Sequence, residues 1–548
     1  MEFFLYLLKS SKKIVLTVAL AGLLSGGFSA GLIAIINGAL HANPSDYNFF
    51  LLGFVLFFLG KLGAYIMSRM LLIRFSEEKI RELSHRISEM VTQTPLVRLE
   101  ELGKHRIYTV LTGDVHILGA AILAIPTLTM NLAVLVGCAS YLLWLSPMAF
   151  LAVIVLVLAG SLGYKLLREK AFKAMFSARE ERDQLFKTFR TLTEGIKELQ
   201  MSQVRIKHFL KEHLHNVTRS LLRHQVRAAN LYLMVDSWNQ FLFYAMIGYL
   251  LFLSPVFSTM PTETLTGFIF ASLYMMNPMF GLIGSIPTFV AGQVSLKKIE
   301  DLGTTLAEPL TAKKNSSLQG DPLPFEGLEL KDVTFSYQSK EGQEEPFQLG
   351  PFDFSLQPGE LVFVIGGNGS GKSTFVKVLT GLYSPQGGQF ILNGKVMPEE
   401  ELGNYRELYS AVFSPSYVFE HLLGQTGPGV DNRAQAFLEQ LHLEKKIQIE
   451  NGKLSTIDVS QGQKKRLAML SVLMEDHPIF VFDEWAADQD PHYKEIFYTE
   501  LLPRLKERGK AIVVITHDDR YFSMGDRIVK FDYGHIVSND NAYSVSTP

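Results

Sequence analysis

Three stretches of this chain carry residue types suited to work on phosphate. "IGGNGSGKSTF", which begins at Ile365, has the spacing Gly366-x-x-x-x-Gly371-Lys372-Ser373. Glycine-rich backbone turns its N–H groups inward onto phosphate oxygens, and Asn368, Gly369, Ser370 and Gly371 form that turn. Lys372 can reach the outer phosphates, the Ser373 hydroxyl can ligate Mg²⁺, and Thr374 completes the motif. "PIFVFDEWAADQD" is an apolar run ending in Asp483 and Glu484. The first acid suits an Mg²⁺ shell, and the second can polarise an attacking water as a general base. "AIVVITHDD" delivers His517 to the end of another apolar run.

These residues need strands and helices to bring them together. "ELVFVIG" reads as a buried strand before the loop, and "STFVKVLTGL" as a helix after it. Strand–loop–helix is the context that gives the motif its meaning. Paired acids at a strand end can be ordinary solvated residues, and a lone histidine is more often structural. Three strands ending in phosphate-type residues point instead to one site, because open α/β sheets bind ligands at the carboxyl ends of their strands. Between them, "DVSQGQKKRLAML" reads on physical grounds as a polar helix start with Ser460 as its N-cap.

The front of the chain is different in kind. The 548 residues are 47% hydrophobic, with a mean hydropathy of +0.16 and a net charge of −2. That hydropathy is high for a soluble chain and low for a purely integral one, which suits a half-membrane, half-soluble chain. The charge gives no indication of nucleic acid as a partner. The single cysteine, Cys138, excludes a disulfide within the chain and offers no Cys-based metal site. Apolar runs cover Ile14 to Ala39 and Phe49 to Ile73, and neither 107–164 nor 228–296 contains Lys or Arg. At roughly 20 residues per crossing, the expectation is six transmembrane helices. Residues 69–106 hold eight Lys or Arg and residues 165–227 hold fifteen, whereas the intervening outer loops hold none. The positive-inside rule then puts both termini and both long loops in the cytoplasm. The first span is too long for a signal-peptide core, so no cleavage is expected.

The two cytoplasmic loops carry apolar residues at helical spacing among mixed charges, as in "SEEKIRELSHRISEMV", and read as helices extending from the membrane. They are either solvated hairpins or elements that touch the soluble half. A linker, "EPLTAKKNSSLQGDPLP", separates a membrane domain, 1–315, from a soluble domain, 316–548. Lys61 lies inside the second apolar run, and an intramembrane charge usually faces a cavity. It reads either as a pocket residue for polar or anionic cargo or as a structural pair. Asp236, with Asn239 nearby, lies close to a cytoplasmic end and reads as interfacial. "FIFASLYMMNPMFGLI" can line an adaptable pocket, although such stripes are more often packing or lipid contact.

The order of phosphate loop, S-x-G-Q segment, strand-end Asp-Glu and late His resembles the nucleotide-binding domain of the ABC ATPases. With the apolar half, the chain resembles a type IV ABC exporter: six membrane helices fused to an α/β P-loop ATPase. The resemblance implies ATP and Mg²⁺ as ligands and Tyr337 under the adenine. It makes Ser460, Gly462 and Gln463 signature residues acting across a head-to-tail homodimer. "DEWAADQDP", "SQGQKKR" and "ITHDDRYF" are similar to the cyclic-peptide exporter branch, which includes exporters of lasso microcins, lipopeptides and a peptide siderophore precursor. This implies a peptide-like cargo, a bacterial inner-membrane location and a periplasmic or outer-membrane partner. With no peptidase segment ahead of the spans, the cargo is expected to be mature already or to mature afterwards. Departures are Gln461 where the family has a glycine, Ser414 where it has a loop glutamine, and no "GERG"-like segment. A lipid-linked flippase and an ATP-gated regulator are the competing readings.

Overall fold

The computed structural model describes residues 12–253, 261–307, 323–337, 347–398, 401–425 and 427–541. The expected linker falls mostly on 308–322, outside the described residues. The chain forms two compact units, one of residues 1–88 and 105–303, the other of residues 89–104 and 304–548.

The first unit is built from long helices: α1 (Lys12–His41), α2 (Tyr47–Gln93), α4 (Lys104–Leu145), α5 (Pro147–Glu194), α7 (His215–Gly248) and α8 (Thr262–Ala307). Short helices occupy the turns between them: α3 (Leu96–Leu102), which belongs to the second unit, and α6 (Ile196–Gln200). At about 1.5 Å per residue, the 47 residues of α2 are about 70 Å long, more than twice a hydrocarbon core. The excess is its charged half. Among the described residues, four helical stretches are long and apolar enough to cross a membrane: Leu16–His41, Pro44–Gln93, Lys104–Leu145 and Thr262–Leu306. Helices α5 and α7 also carry apolar segments, parts of which adjoin or include residues not described.

Small residues let these helices approach closely. A Cβ placed on Gly26 of α1 would stand 2.3 Å from that of Ala133 in α4. Trp238 of α7 donates through Nε1 to the Gly160 carbonyl of α5 at 3.1 Å. α5 begins cleanly because Pro147 takes the first helical position and Ser146 caps it, accepting from the Ala149 N–H at 3.4 Å.

In the second unit, β1 (Leu328–Ser336), β2 (Gln348–Leu356) and β4 (Gly387–Leu392) form an antiparallel layer in the order β2-β1-β4, extended by Lys395–Val396. The main sheet contains β3 (Leu361–Gly366), β5 (Tyr409–Val412), β6 (Ile479–Asp483), β7 (Ala511–Ile515), β8 (Arg527–Asp532) and β9 (His535–Asn541). Its order is β9-β8-β3-β7-β6-β5, parallel except for β9. β6 and β7 are buried along their whole length, as unbroken apolar runs covered on both faces must be. The register aligns the strand ends: Ile515 pairs with Val364 on one side and with Asp483 on the other. The phosphate loop, the acid pair and His517 therefore leave the sheet side by side.

Candidate nucleotide site

The loop after β3 runs into α9 (Lys372–Leu379). Gly366, Gly369 and Gly371 all have positive φ, at 152°, 79° and 106°. A Cβ on Gly366 would lie 2.4 Å from the Phe531 carbonyl oxygen, so both conformation and space require glycine there. Lys372 is buried, and its ammonium donates to the carbonyls of Gly366 and Gly367 at 2.9 Å each. Burial lowers its pKa, and the Glu484 and Asp483 carboxylates act against that shift.

A cavity of about 410 Å³ opens over this loop. Asn368, Gly369, Ser370, Gly371, Lys372, Ser373 and Thr374 form its floor, Tyr337 and Phe347 one wall, and Glu484 the far edge. Tyr337 is fixed by a 3.1 Å hydrogen bond between its hydroxyl and Thr374 Oγ1, and its ring stands edge-on to Phe335 and Tyr383. Phe347 is a second aromatic in the wall that the sequence did not reveal. It lies ahead of β2, ten residues from Tyr337 in the chain, and only pairing of β1 with β2 brings the two together.

Asp483 is buried at the end of β6, with Oδ1 lacking a hydrogen-bond partner among the described residues. Burial, and secondly the Glu484 charge, raise its pKa to about 6, while the Ser414 backbone N–H and two lysines pull the other way. Among the described residues, no group of three or more His, Cys, Asp or Glu could hold a metal ion. One orphaned carboxylate oxygen and the exposed Ser373 hydroxyl suit a cation that also draws oxygens from phosphate, which is how Mg²⁺ is usually held.

Glu484 has φ 50°, a left-handed conformation rare for a residue with a side chain, and its N–H donates to the Ile515 carbonyl at 3.2 Å. His517 Nε2 lies 3.6 Å from Glu484 Oε1. The next turn is held from α10 (Gln461–Glu475): Lys465 donates to the Glu484 carbonyl and pairs with Asp488, each at 2.8 Å, and Trp485 Nε1 donates back to the Lys465 carbonyl.

Ser460 caps α10 in a reciprocal capping box with Gln463, as its position predicts. Gly462 packs on the loop that follows the acid pair, where Gln489 donates to its carbonyl at 3.0 Å. Ser460, Gly462 and Gln463 do not line the cavity of their own chain. Gln461 is exposed at the first turn of α10. Ser414 brings a backbone N–H to Asp483, where the resemblance implies a glutamine side chain.

The second unit also includes α3. Leu96 and Val97 pack on the core formed by β1, β3 and α9. Glu100 accepts from Lys377 of α9 at 3.0 Å and from the Tyr383 hydroxyl. Burial, then the Glu100 carboxylate, keep the Tyr383 phenol protonated well above its usual range. α3 follows the charged half of α2, one of the stretches expected either to stay solvated or to touch the soluble half.

A strand–loop–helix cradle, a buried acid at one strand end and a histidine at the next define a P-loop ATPase. Residues 349–487 match the ABC transporter family model. The chain is 34% identical over 532 residues to ATP-binding protein SyrD of Pseudomonas syringae pv. syringae, covering 95% of this chain and 93% of that one. It is 31% identical to a putative ABC transporter ATP-binding protein of Clostridium acetobutylicum, across 39% of this chain and 93% of that protein. It is also 29% identical to the macrolide export ATP-binding/permease protein MacB of Photorhabdus laumondii, across 39% of this chain and 34% of MacB. The chain belongs to the ABC transporter family. It is a membrane-bound transporter in which ATP hydrolysis is coupled to transport.

Proposed function

We propose that this chain is an exporter of a peptide-like compound, working as a homodimer in a bacterial inner membrane with six spans per chain and both termini cytoplasmic. The observation that carries the reading is one polypeptide with both parts: the P-loop cavity closed by Glu484, and helices long and apolar enough to span a bilayer. The near-full-length match to SyrD supports it, as does the word export in the name of MacB.

The residues divide the work as follows. The N–H groups from Asn368 to Thr374 cradle phosphates, and Lys372 leaves its loop carbonyls to neutralise them. Tyr337 and Phe347 offer ring faces to the adenine. Ser373 and Asp483 hold Mg²⁺, which when bound neutralises charge on the phosphate oxygens. Glu484 accepts a proton from the water that attacks the γ-phosphorus as the bond to the leaving diphosphate breaks. His517, beside Glu484, orients the acid. Ser460, Gly462 and Gln463 act on the cavity of a second chain, since they stand outside their own. Two closed ATPase units turn the spans outward, and hydrolysis resets them.

Lys61 adds a feature of the cargo. Its ammonium donates to the Tyr274 hydroxyl at 2.5 Å and stands over that ring at 5.2 Å. A phenol supplies no counter-charge, so an anionic group on the cargo is the natural complement.

The test compares medium and cells by mass spectrometry in a strain carrying Glu484→Gln. Loss of a peptide-like compound from the medium, with its accumulation inside, supports export. A change confined to membrane lipids would favour a flippase, and no change in either would favour a regulator.

A further inference from the structure

Away from the nucleotide cavity, a cleft of about 980 Å³ lies between α5 and α7. It is lined by five cations: Lys170 and Lys173 from α5, and Arg219, Arg223 and Arg227 from α7. Among the described residues, no Asp or Glu lines it. Among the described residues, none of the five has an ion-pair partner. Their spacing of three to four residues puts each set on one helix face, and the two faces share one concavity. Like charges gathered in this way repel unless an anion lies between them.

The cleft is also apolar. Leu222, Val226 and Met234 line it and are exposed. A cationic floor beside exposed aliphatic side chains suits a molecule with an acidic head and a hydrocarbon tail. The level along the helix agrees. The stretch of α5 free of cations ends at Tyr164, and Lys165 begins the charged half. Lys170 follows five residues later, about 8 Å further along the axis. Lys170 and Arg227 thus stand at the headgroup layer, roughly 5–7 Å thick on each side of the hydrocarbon, and Lys173, Arg223 and Arg219 extend the charge to its water side.

We propose that this cleft binds the phosphate-bearing headgroup of an acidic membrane lipid, with the acyl chains running from Arg227 toward Leu231 and Met234. Scattered positive-inside charges explain cations near the membrane, but not five of them lining a concavity without acids. The proposal rests on the membrane placement of this half and is independent of what the transporter carries.

The full chain, purified in detergent, is titrated with dioleoyl-phosphatidylglycerol and, separately, dioleoyl-phosphatidylcholine, and bound lipids are counted by native mass spectrometry. The parent is expected to retain phosphatidylglycerol preferentially. Arg219→Gln/Arg223→Gln/Arg227→Gln should weaken it by about tenfold or more, and Met234→Asn should weaken it less. Arg182→Gln/Lys187→Gln, outside the cleft, should leave it unchanged. An unaltered helical circular-dichroism spectrum and melting profile of the triple variant show that it has folded. Equal phosphatidylglycerol retention by the parent and the triple variant overturns the proposal. So does full displacement of the lipid by millimolar inorganic phosphate, which would make the occupant a soluble anion. A triple variant that changes its dimer mass but not its lipid count would assign the cleft to a second copy of the chain, and would also overturn it.

Discussion

Lys377 Nζ lies 3.0 Å from a carboxylate oxygen of Glu100, and the Tyr383 hydroxyl donates to the other. Lys377 sits five residues beyond Lys372 on the helix that opens at the phosphate loop. Glu100 sits on α3, between the two long helices α2 and α4. The short path from phosphate to Glu100 is thus one and a half turns of helix and one ion pair.

The pair is half-exposed, so its loss should cost under about 1 kcal/mol of stability. Its effect should appear in coupling. Glu100→Ala should leave ATP affinity within about twofold while stimulation of hydrolysis by cargo falls between about 5- and 150-fold, the usual span of an allosteric coupling energy. Parallel ATPase titrations with and without cargo extract would separate the two. Equal loss of basal and stimulated rates would make the contact purely structural.

Lys372→Ala should abolish nucleotide binding measured by a fluorescent ATP analogue. Glu484→Gln should keep binding and slow steady-state hydrolysis by about 10²–10⁴-fold, the usual contribution of a general base. Undiminished hydrolysis in Glu484→Gln would remove it from that role.

Asp483 gives a pH dependence with a definite sign. An acid whose folded pKa of about 6 exceeds its ordinary value of 3.8 favours protonation on folding. Its burial penalty is absent below pH 3.8, grows between the two values, and is fully present above about 6. Nucleotide-free protein should therefore gain stability from this group as pH falls through 6. Mg²⁺ binding needs the carboxylate, so Mg²⁺-dependent ATP affinity should weaken as pH drops below 6. Asp483→Asn should flatten both trends in a thermal-shift series.

Lys61→Met should leave basal hydrolysis intact and weaken export of an anionic cargo by about tenfold or more, since a charge-assisted contact is worth about 1.5–3 kcal/mol. Tyr274→Phe keeps the ring beneath the ammonium and should cost less. Intracellular retention of the cargo in the two strains, read by mass spectrometry, orders the effects.

The nucleotide site was largely legible because its residues come in short contiguous motifs whose local backbone demands are strict. Gly366 and Gly371 need conformations that other residues avoid, and the runs ending at Asp483 and Ile515 are too uniformly apolar for anything but buried strands. Phe347 and Glu100 were not legible, because strand pairing and docking of a distant helix put them in place. In the membrane half, hydropathy gave the long apolar helices but not the sharing of a cleft by Lys170 and Arg227, which depends on the faces that α5 and α7 turn to each other.

The capping box at α10 uses only half of what Ser460 has to offer. Its oxygen accepts the Gln463 N–H at 3.4 Å, but its own hydrogen is not spent in that bond. In the proposed homodimer, one hydroxyl can therefore secure the helix start and still present a proton donor to a phosphate on the second chain. Ser460→Asp would keep the acceptor and replace the donor with negative charge, so the helix would remain capped while the paired ATPase units repelled the nucleotide between them. A stable monomer that binds ATP yet fails to dimerise with it would be the mark of that division.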